Sequence, residues 1–372
     1  MTPSRLIPYS SLYRFISVIK NNGGLHYSRI QRLSPYLTRI VLFEPISWLE
    51  TIVMERKIQK HELKQAPIFV LGHWRSGTTF LQRLLSEDDR FGYHNLYKAI
   101  FPQMYVSTEK VLRPLMQYGN NVIGAKNPFH RVKLEWISAD EDDTGFLGLI
   151  SPHTSYWGQV MPSSYKKLML RYSFVDENSQ KKYLDKWKSD YMYMIKKLSL
   201  HYQKPLILRT PPNTGRIKQL LELFPDAKFI YIHRNPYDVY NSNLGLWKAN
   251  LKNFCFQKPS QQEVEDNILF GYKLLLSNYI KQRELIPENN LVEIRYEDLF
   301  NDTMGKMEHI YKHLSLPNFN EVKPKLEGFV NAKKSKEKTS YNYSSEMIEK
   351  VNQHWGFSLD EWKYEDSFLE TV

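Results

Sequence analysis

The residues best suited to chemistry lie in one short stretch, positions 67–85, which combines two glycines, three hydroxyls and two arginines. Residues 68–71 are apolar and predict a buried strand, and leucines at helical spacing predict a helix after it. Between them, Gly72 and Gly77 let the backbone turn sharply and approach a ligand. The N–H groups at the start of a helix attract anions, and Arg75 adds a positive charge beside them. We therefore predict a phosphate-binding loop, here called the glycine loop (residues 72–79).

The residues after Gly77 indicate which phosphate group such a loop would bind. The spacing from Gly72 to Gly77 is that of a nucleoside-triphosphatase P-loop, which continues with Lys and then Ser or Thr. This chain has Thr78 and Thr79 instead, so the lysine that reaches the β- and γ-phosphates is missing, and the cation is Arg75 within the loop. A P-loop kinase or NTPase is thus a disfavoured alternative, and an ordinary strand–turn–helix is the other.

Two segments of the chain resemble the cofactor-binding motifs of one enzyme family. Arg-Ser-Gly-Thr-Thr, from Arg75 to Thr79, resembles the 5′-phosphosulfate loop of sulfotransferases that use 3′-phosphoadenosine 5′-phosphosulfate (PAPS). The segment from Lys228 to Ser242 predicts a strand (Lys228 to His233), followed by Arg234 and a helix that begins at Pro236, with Ser242 eight residues after the arginine. It resembles the 3′-phosphate site of the same family, where an arginine and a serine bind the phosphate.

The resemblance also implies which residues bind the cofactor. It assigns the 5′-phosphosulfate to Arg75, Ser76, Gly77, Thr78 and Thr79, and the 3′-phosphate to Arg234 and Ser242. Phe80 stands where family members place an aromatic ring against the adenine, although a helical phenylalanine is also a common core residue. Lys336 and Lys338 resemble the basic segment that closes over the 3′-phosphate, with a solvated loop as the alternative.

A third segment, which ends in Arg209, implies a catalytic cation. Arg209 follows a predicted strand 25 residues before Arg234, and the corresponding family residue stabilises charge on the bridging oxygen during sulfo transfer. Arg75 would share this role. A structural ion pair is the other interpretation of Arg209.

The general base is less clear, because Pro211 occupies the position at which cytosolic small-molecule sulfotransferases carry a catalytic histidine. The acidic run (residues 140–143) resembles the Glu-Asp-Glu-type motif of the bacterial and lipid-directed branch. Crowded carboxylates raise one another's pKa, which suits a base near neutral pH. We expect Glu141 to be the base, with Asp143, Asp140 and His94 as alternatives. A solvated acidic turn or helix cap remains the competing explanation.

The order of predicted elements indicates an α/β fold. Strands alternate with helices from position 67, so we expect a P-loop-like parallel sheet flanked by helices, with helical additions at both ends. The predicted domains are an N-terminal helical extension (1–66), a sulfotransferase domain (67–355) and a C-terminal tail (356–372). Residues 88–165 are rich in aromatic residues, Met, Pro and Gly, and predict an acceptor-side insertion of loops and short helices. Residues 180–202 predict an amphipathic helix that packs into the core.

Composition limits the partners and the compartment. The net charge of +11 suits a polyanionic ligand, and the chain shows no nucleic-acid-binding signature, so nucleic acid is not the expected partner. The resemblance implies a small-molecule hydroxyl acceptor instead. A non-catalytic binder of adenosine bisphosphate or RNA is the alternative. The chain has one cysteine, no signal-peptide pattern and no uninterrupted apolar span, so we expect a cytoplasmic protein. Peripheral membrane contact through the basic, aromatic first 50 residues stays open, and no pattern specifies an oligomeric state.

The resemblance implies that the chain transfers a sulfo group from PAPS to an acceptor hydroxyl without a metal ion. The aromatic and Met-rich region suggests a hydrophobic alcohol such as a sterol or a lipid. A carbohydrate or glycolipid hydroxyl is the alternative acceptor, because aromatic rings also bind sugars.

Overall fold

A computed structural model describes residues 9–124, 126, 133–148, 151–174, 177–333 and 343–364. The chain divides into two compact units. The first unit comprises Met1–Gln65, Gly92–Leu206 and Leu246–Val264, and the second comprises Ala66–Phe91, Ile207–Gly245 and Glu265–Val372.

The strands form one five-stranded sheet of order β2-β3-β1-β4-β5. Their bounds are β1 Ile68–Leu71, β2 Gly92–Tyr93, β3 Leu206–Arg209, β4 Lys228–His233 and β5 Leu291–Arg295. β1 pairs in parallel with β3 and with β4, and β4 pairs in parallel with β5. Because these strands are parallel, the segments that follow their carboxyl ends emerge at one edge of the sheet.

The α-helices of the described residues are, in chain order, α1 Tyr9–Asn21, α2 Ser34–Lys60, α3 Thr78–Ser86, α4 Leu96–Ile100, α5 Tyr105–Ile123, α6 Asp142–Gly148, α7 Trp157–Val160, α8 Tyr165–Ser173, α9 Glu177–Tyr202, α10 Ile217–Leu223, α11 Pro236–Asn253, α12 Gln261–Gln282, α13 Tyr296–Asn301, α14 Thr303–His313, α15 Phe319–Lys333 and α16 Ser345–Trp362. Short 3₁₀ turns precede some of them, including Pro211–Gly215 between β3 and α10.

The core of the second unit lies on one face of the sheet. Alternate residues of β1, Ile68 and Val70, are buried there with apolar side chains of β4 and β5 and of α3, α14 and α15. On the other side of β1, Phe69 stacks with Phe229, and Phe224 packs beside it. This alternation is what a strand covered on both faces requires.

The first unit is mostly helical and has an aromatic core. The predicted amphipathic stripe of α9 is buried, which confirms that prediction; its members are Leu184, Trp187, Tyr191, Met194 and Leu198. Trp187 stacks on Tyr191 with ring centroids 4.9 Å apart. Such large aromatic side chains bury much of the apolar surface that stabilises a helical unit.

The predicted fold class is confirmed, and β1 and β4 begin and end at the predicted residues. The structure contains two helices that the sequence did not predict. The 19-residue α5 lies within 88–165, where only short helices were expected, and α15 was not predicted. Each contains an internal proline, Pro114 and Pro324, and a glycine, residues that normally interrupt helices and so weaken the helical pattern of the sequence.

Across the described residues, no helix combines the length and the apolar character needed to cross a bilayer.

Candidate functional site

The glycine loop connects β1 to α3 in a conformation that needs both glycines. Gly72 has φ +144°, and a Cβ there would lie 2.5 Å from the carbonyl oxygen of Ile232. Gly77 has φ +103° and caps α3, and a Cβ there would lie 2.3 Å from the ring of Tyr296. Contacts this short are forbidden, so any side chain at these two positions would displace the loop.

Arg75 adopts a left-handed backbone conformation with φ +73°. This conformation costs a non-glycine residue roughly 1–2 kcal/mol. Ser76 stabilises the turn, because its N–H and its hydroxyl both donate to the carbonyl oxygen of His73, at 3.2 and 2.7 Å. Strain held in this way is typical of loops that are shaped to bind a ligand.

The structure brings the two predicted phosphate-binding segments together within the second unit. Arg75 Nε donates to Ser242 Oγ at 2.8 Å, and Arg234 Nη1 lies 3.5 Å from the carbonyl oxygen of Arg75. Arg234 follows β4, which pairs with β1 in the sheet, and Ser242 lies two turns into α11. Residues 167 positions apart are therefore in direct contact at the carboxyl edge of the sheet.

Arg234 contacts two side chains that the sequence analysis did not identify, and a third side chain holds one of these two. Its Nη2 and Nε donate to Asp238 Oδ2 at 2.9 and 3.2 Å, and its guanidinium lies 4.7 Å from the ring centroid of Tyr296. The Tyr343 hydroxyl donates to the other oxygen of Asp238 at 2.5 Å. The i, i+4 spacing of Arg234 and Asp238 at a helix start was the available signal for this pair.

Arg209, at the end of β3, is buried beside the start of α3. Its Nε donates to Gln82 Oε1 at 2.6 Å, and its Nη1 donates to Thr79 Oγ1 at 3.1 Å. These contacts bring Arg209 to a hydroxyl of the glycine loop. The partner Gln82 gave no sequence signal, because a glutamine one turn into a helix is a common surface residue.

Another residue that the sequence did not predict, Thr214, connects the loop to the turn after β3. The N–H of Gly72 donates to Thr214 Oγ1 at 2.8 Å, and this hydroxyl lies 3.2 Å from the carbonyl oxygen of Gly72. Thr214 is fully buried. It thus satisfies both backbone groups at the point where the chain leaves β1.

The remaining cofactor predictions have different outcomes. Phe80 is half-buried and packs against the apolar core cluster of the second unit, so its observed contact is with the core. Lys336 and Lys338 lie outside the described residues. The adenine and lysine assignments both stay predictions.

The acidic run lies in the first unit, at the start of α6. Asp142 and Asp143 are buried in the first turn of this helix, whereas Asp140 and Glu141 are partly exposed. The Glu141 N–H donates to Asp140 Oδ1 at 2.7 Å, and Thr154 Oγ1 donates to Asp143 Oδ2 at 3.3 Å. Of these four carboxylates, only Asp140 and Glu141 therefore reach solvent.

His94, the alternative base, lies beside the acidic run in the same unit. The N–H of Asp140 donates to its carbonyl oxygen at 2.8 Å, and its ring is buried against Gly145. Burial, followed by the positive charge of Lys98, lowers the pKa of His94 to about 3. A ring with so low a pKa is neutral at pH 7 but is a weak base.

The residues of the second unit fit a donor that carries phosphate groups. Loop amides at a helix start, three arginines and the hydroxyls of Thr79 and Ser242 are the kinds of hydrogen-bond donor that suit phosphate oxygens. Both glycines are needed to hold these amides in place, because a Cβ at either position would overlap Ile232 or Tyr296. Among the described residues, no group of three or more His, Cys, Asp and Glu side chains is placed to hold a metal ion.

Comparison with known proteins identifies curated relatives of similar length. The chain is 29% identical over 351 residues to the omega-hydroxy-beta-dihydromenaquinone-9 sulfotransferase Stf3 of Mycobacterium bovis and to that of Mycobacterium tuberculosis. Each alignment covers 94% of this chain and 88% of the relative.

Solved structures show the same fold. The sulfotransferase STF9 from Mycobacterium avium matches with a TM-score of 0.72 and 16% identity, over 95% of this chain and 91% of that one. STF1 from Mycobacterium tuberculosis H37Rv matches with a TM-score of 0.71 and 17% identity, over 96% and 93%. These likenesses confirm the P-loop-like α/β fold.

A family model described as the sulfotransferase family matches residues 67–321, which begin at β1 and include the glycine loop and the Arg234–Ser242 segment. The match covers more than half of the chain. The protein is therefore a sulfotransferase, a member of the sulfotransferase family.

Proposed function

We propose that this sulfotransferase uses PAPS as its donor and transfers the sulfo group to the hydroxyl of a hydrophobic acceptor. The observation that carries the proposal is the contact between Arg75 and Ser242, with Arg234 beside them. A donor with a 5′-phosphosulfate and a 3′-phosphate needs cations at two points, one on each side of its ribose. Two basic segments that meet at one sheet edge meet that requirement.

The donor would be held by its two phosphate-bearing ends. The amides of the glycine loop, with Ser76, Thr78 and Thr79, would bind the 5′ end, and Arg234 with Ser242 would bind the 3′-phosphate. Asp238 orients Arg234 and leaves its Nη1 directed toward the backbone of Arg75. Phe80, Lys336 and Lys338 remain proposed adenine and 3′-phosphate contacts.

When bound, PAPS supplies the sulfo group that ends on the acceptor oxygen, and adenosine 3′,5′-bisphosphate leaves. Arg209 and Arg75 would stabilise the negative charge that this leaves on the 5′-phosphate. The contact of Arg209 with Thr79 supports this role, because it fixes the guanidinium beside the loop.

We assign the general base to Glu141, which would take the proton of the acceptor hydroxyl. Accessibility supports this assignment, because the Glu141 side chain is partly exposed to solvent whereas that of Asp143 is buried. The low pKa of His94, about 3, makes the imidazole a weaker candidate near neutral pH. Asp140 stays the nearest alternative, because its carboxylate accepts the N–H of Glu141.

The acceptor class is supported by the curated relatives, whose name gives an omega-hydroxylated dihydromenaquinone as acceptor. That molecule combines a hydroxyl with a long apolar chain. We infer the same combination for this protein, a terminal or ring hydroxyl on a hydrophobic body.

The test is transfer of radiolabelled sulfo groups from PAPS to a panel of long-chain alcohols, hydroxylated quinones, sterols, glycolipids and free sugars. We expect labelled product from the apolar alcohols. Transfer to sugars alone would replace the hydrophobic acceptor with a carbohydrate. Hydrolysis of ATP with Mg²⁺, without sulfo transfer, would overturn the donor assignment.

A further inference from the structure

Helix α2 of the first unit has its apolar side chains directed to water. Val41, Leu42, Ile46, Leu49, Ile52 and Val53 are between 40 and 71% exposed and recur at helical spacing. From Leu37 to Val53, a distance of about 24 Å along the helix, none of the exposed side chains is charged. A surface helix in water normally shows the opposite pattern.

The inner face of α2 is correspondingly polar. Three of its four buried side chains are Ser47, Glu50 and Glu55. Glu50 forms a buried ion pair with Lys197 at 2.7 Å and accepts the N–H of Ser107 at 2.7 Å. The polar residues of this helix thus have partners within the protein, and the inversion is part of the fold.

Helix α5 of the same unit repeats the inversion. Val111, Leu115, Tyr118 and Val122 form one stripe and are between 62 and 71% exposed. Its buried residue Glu109 contacts Lys98 at 2.7 Å and His201 at 3.0 Å. Burial alone would raise the pKa of Glu109, but the hydrogen bond from His201 and the charge of Lys98 lower it to about 2. Glu109 is therefore ionised and paired at physiological pH.

The two helices are adjacent, because Glu50 of α2 caps the start of α5 through the N–H of Ser107. Single exposed apolar residues are ordinary, but two neighbouring helices with continuous apolar stripes mark a surface that binds an apolar partner.

The exposed charges on these helices identify the partner. They are all basic: Arg56, Lys57 and Lys60 end α2, and Lys110 lies in the first turns of α5. The acids of both helices are buried or, for Glu44, half-buried. Apolar stripes with basic borders complement an anionic lipid surface. A second copy of the chain would instead bring like charges together.

We propose that the outward faces of α2 and α5 dock on an anionic lipid bilayer, with the apolar stripes in the interfacial layer and the basic residues at the headgroups. The protein would then bind a hydrophobic acceptor at the bilayer in which that acceptor is dissolved. This consequence rests on the proposed function, whereas the docking itself does not. Docking can be measured without donor or acceptor.

The test is flotation of the full-length protein with vesicles of phosphatidylglycerol and phosphatidylcholine, and with vesicles of phosphatidylcholine alone. We expect the protein to float with the anionic vesicles and at least about tenfold less with the neutral ones. Leu49→Glu on α2 and Leu115→Glu on α5 should each weaken partitioning at least about tenfold, because each replaces a leucine that would enter the bilayer interface with a charged side chain.

The matched control is Leu285→Glu in the second unit, since Leu285 is 53% exposed and lies outside both helices. It should float like the wild type, and all three variants should keep the wild-type melting temperature. Equal flotation of the wild type and either helix variant would overturn the assignment of that helix. A dimer that Leu49→Glu converts to monomer, without vesicle binding by the wild type, would overturn the proposal in favour of a contact between copies.

Discussion

In the glycine loop, the backbone determines what can bind, whereas in the acidic run the outcome depends on which of four neighbouring carboxylates is accessible. The loop needs glycines at two positive φ angles and an arginine at a third. The acidic run needs only that one carboxylate face the acceptor, and two of its members are buried in α6. An anion-binding loop can therefore be recognised from the spacing of its residues, whereas a general base within an acidic run can be recognised only from local composition.

The largest expected effect on turnover tests the acidic run. Glu141→Gln should lower turnover about 10²- to 10⁴-fold, because the amide cannot accept the acceptor proton, while the affinity for adenosine 3′,5′-bisphosphate stays unchanged. Initial rates and calorimetry measure the two quantities separately. Glu135→Gln is the matched control, since Glu135 is an exposed acid of the same segment. Wild-type turnover in the Glu141 variant would transfer the role to Asp140.

The next prediction tests anion binding beside the glycine loop. Arg234→Ala should weaken binding of adenosine 3′,5′-bisphosphate about 100-fold, because it removes a forked, charge-assisted contact to the 3′-phosphate. Calorimetric titration gives the affinity. Arg283→Ala is the matched control, because Arg283 forms ion pairs with Glu293 and Glu361 in the same unit. This variant should bind adenosine 3′,5′-bisphosphate with wild-type affinity. Equal affinities in the two variants would contradict the 3′-phosphate assignment.

A backbone substitution separates loop geometry from charge. Gly77→Ala should destabilise the protein by about 2–4 kcal/mol and abolish nucleotide binding, because its Cβ would overlap the ring of Tyr296 at a positive φ. Gly328→Ala, within α15 and with open space around it, should instead be neutral or stabilising by up to about 1 kcal/mol. Thermal unfolding with and without nucleotide measures both. Normal binding by the Gly77 variant would show that the loop shape is not required.

The same contrast explains how far the sequence could be interpreted. Arg75, Arg234 and Ser242 were found because their segments resemble family motifs at a strand end and a helix start, and parallel pairing of β1 and β4 brings these segments together. Thr214 and Gln82 were missed, because their partners lie more than 100 residues away and their types are common everywhere. Helix α5 was missed for a different reason. Its apolar stripe faces outward and a proline interrupts it, so no pattern indicated a helix packed on the core.

The smallest effect concerns His94 and distinguishes a structural histidine from a catalytic one. Its folded-state pKa of about 3 lies below the ordinary value of 6.5, because burial penalises the charged ring and Lys98 repels it. The unfolded state therefore binds the proton more tightly. The stability contribution of neutral His94 is complete above pH 6.5 and is lost as the pH falls toward 3, by about 2 kcal/mol at pH 5.

His94→Gln should accordingly reduce the loss of stability between pH 7 and pH 5, and it should leave the pH dependence of kcat/KM between pH 6 and 8 unchanged. Denaturant unfolding at the two pH values and a pH–rate profile measure these outcomes. His354→Gln is the matched control, because His354 lies on α16 in the second unit. A shifted pH–rate profile in the His94 variant alone would place the imidazole on the path of the acceptor proton. In that case the accessible carboxylate of Glu141 would orient the acceptor, and the first unit would use a buried group for chemistry after all.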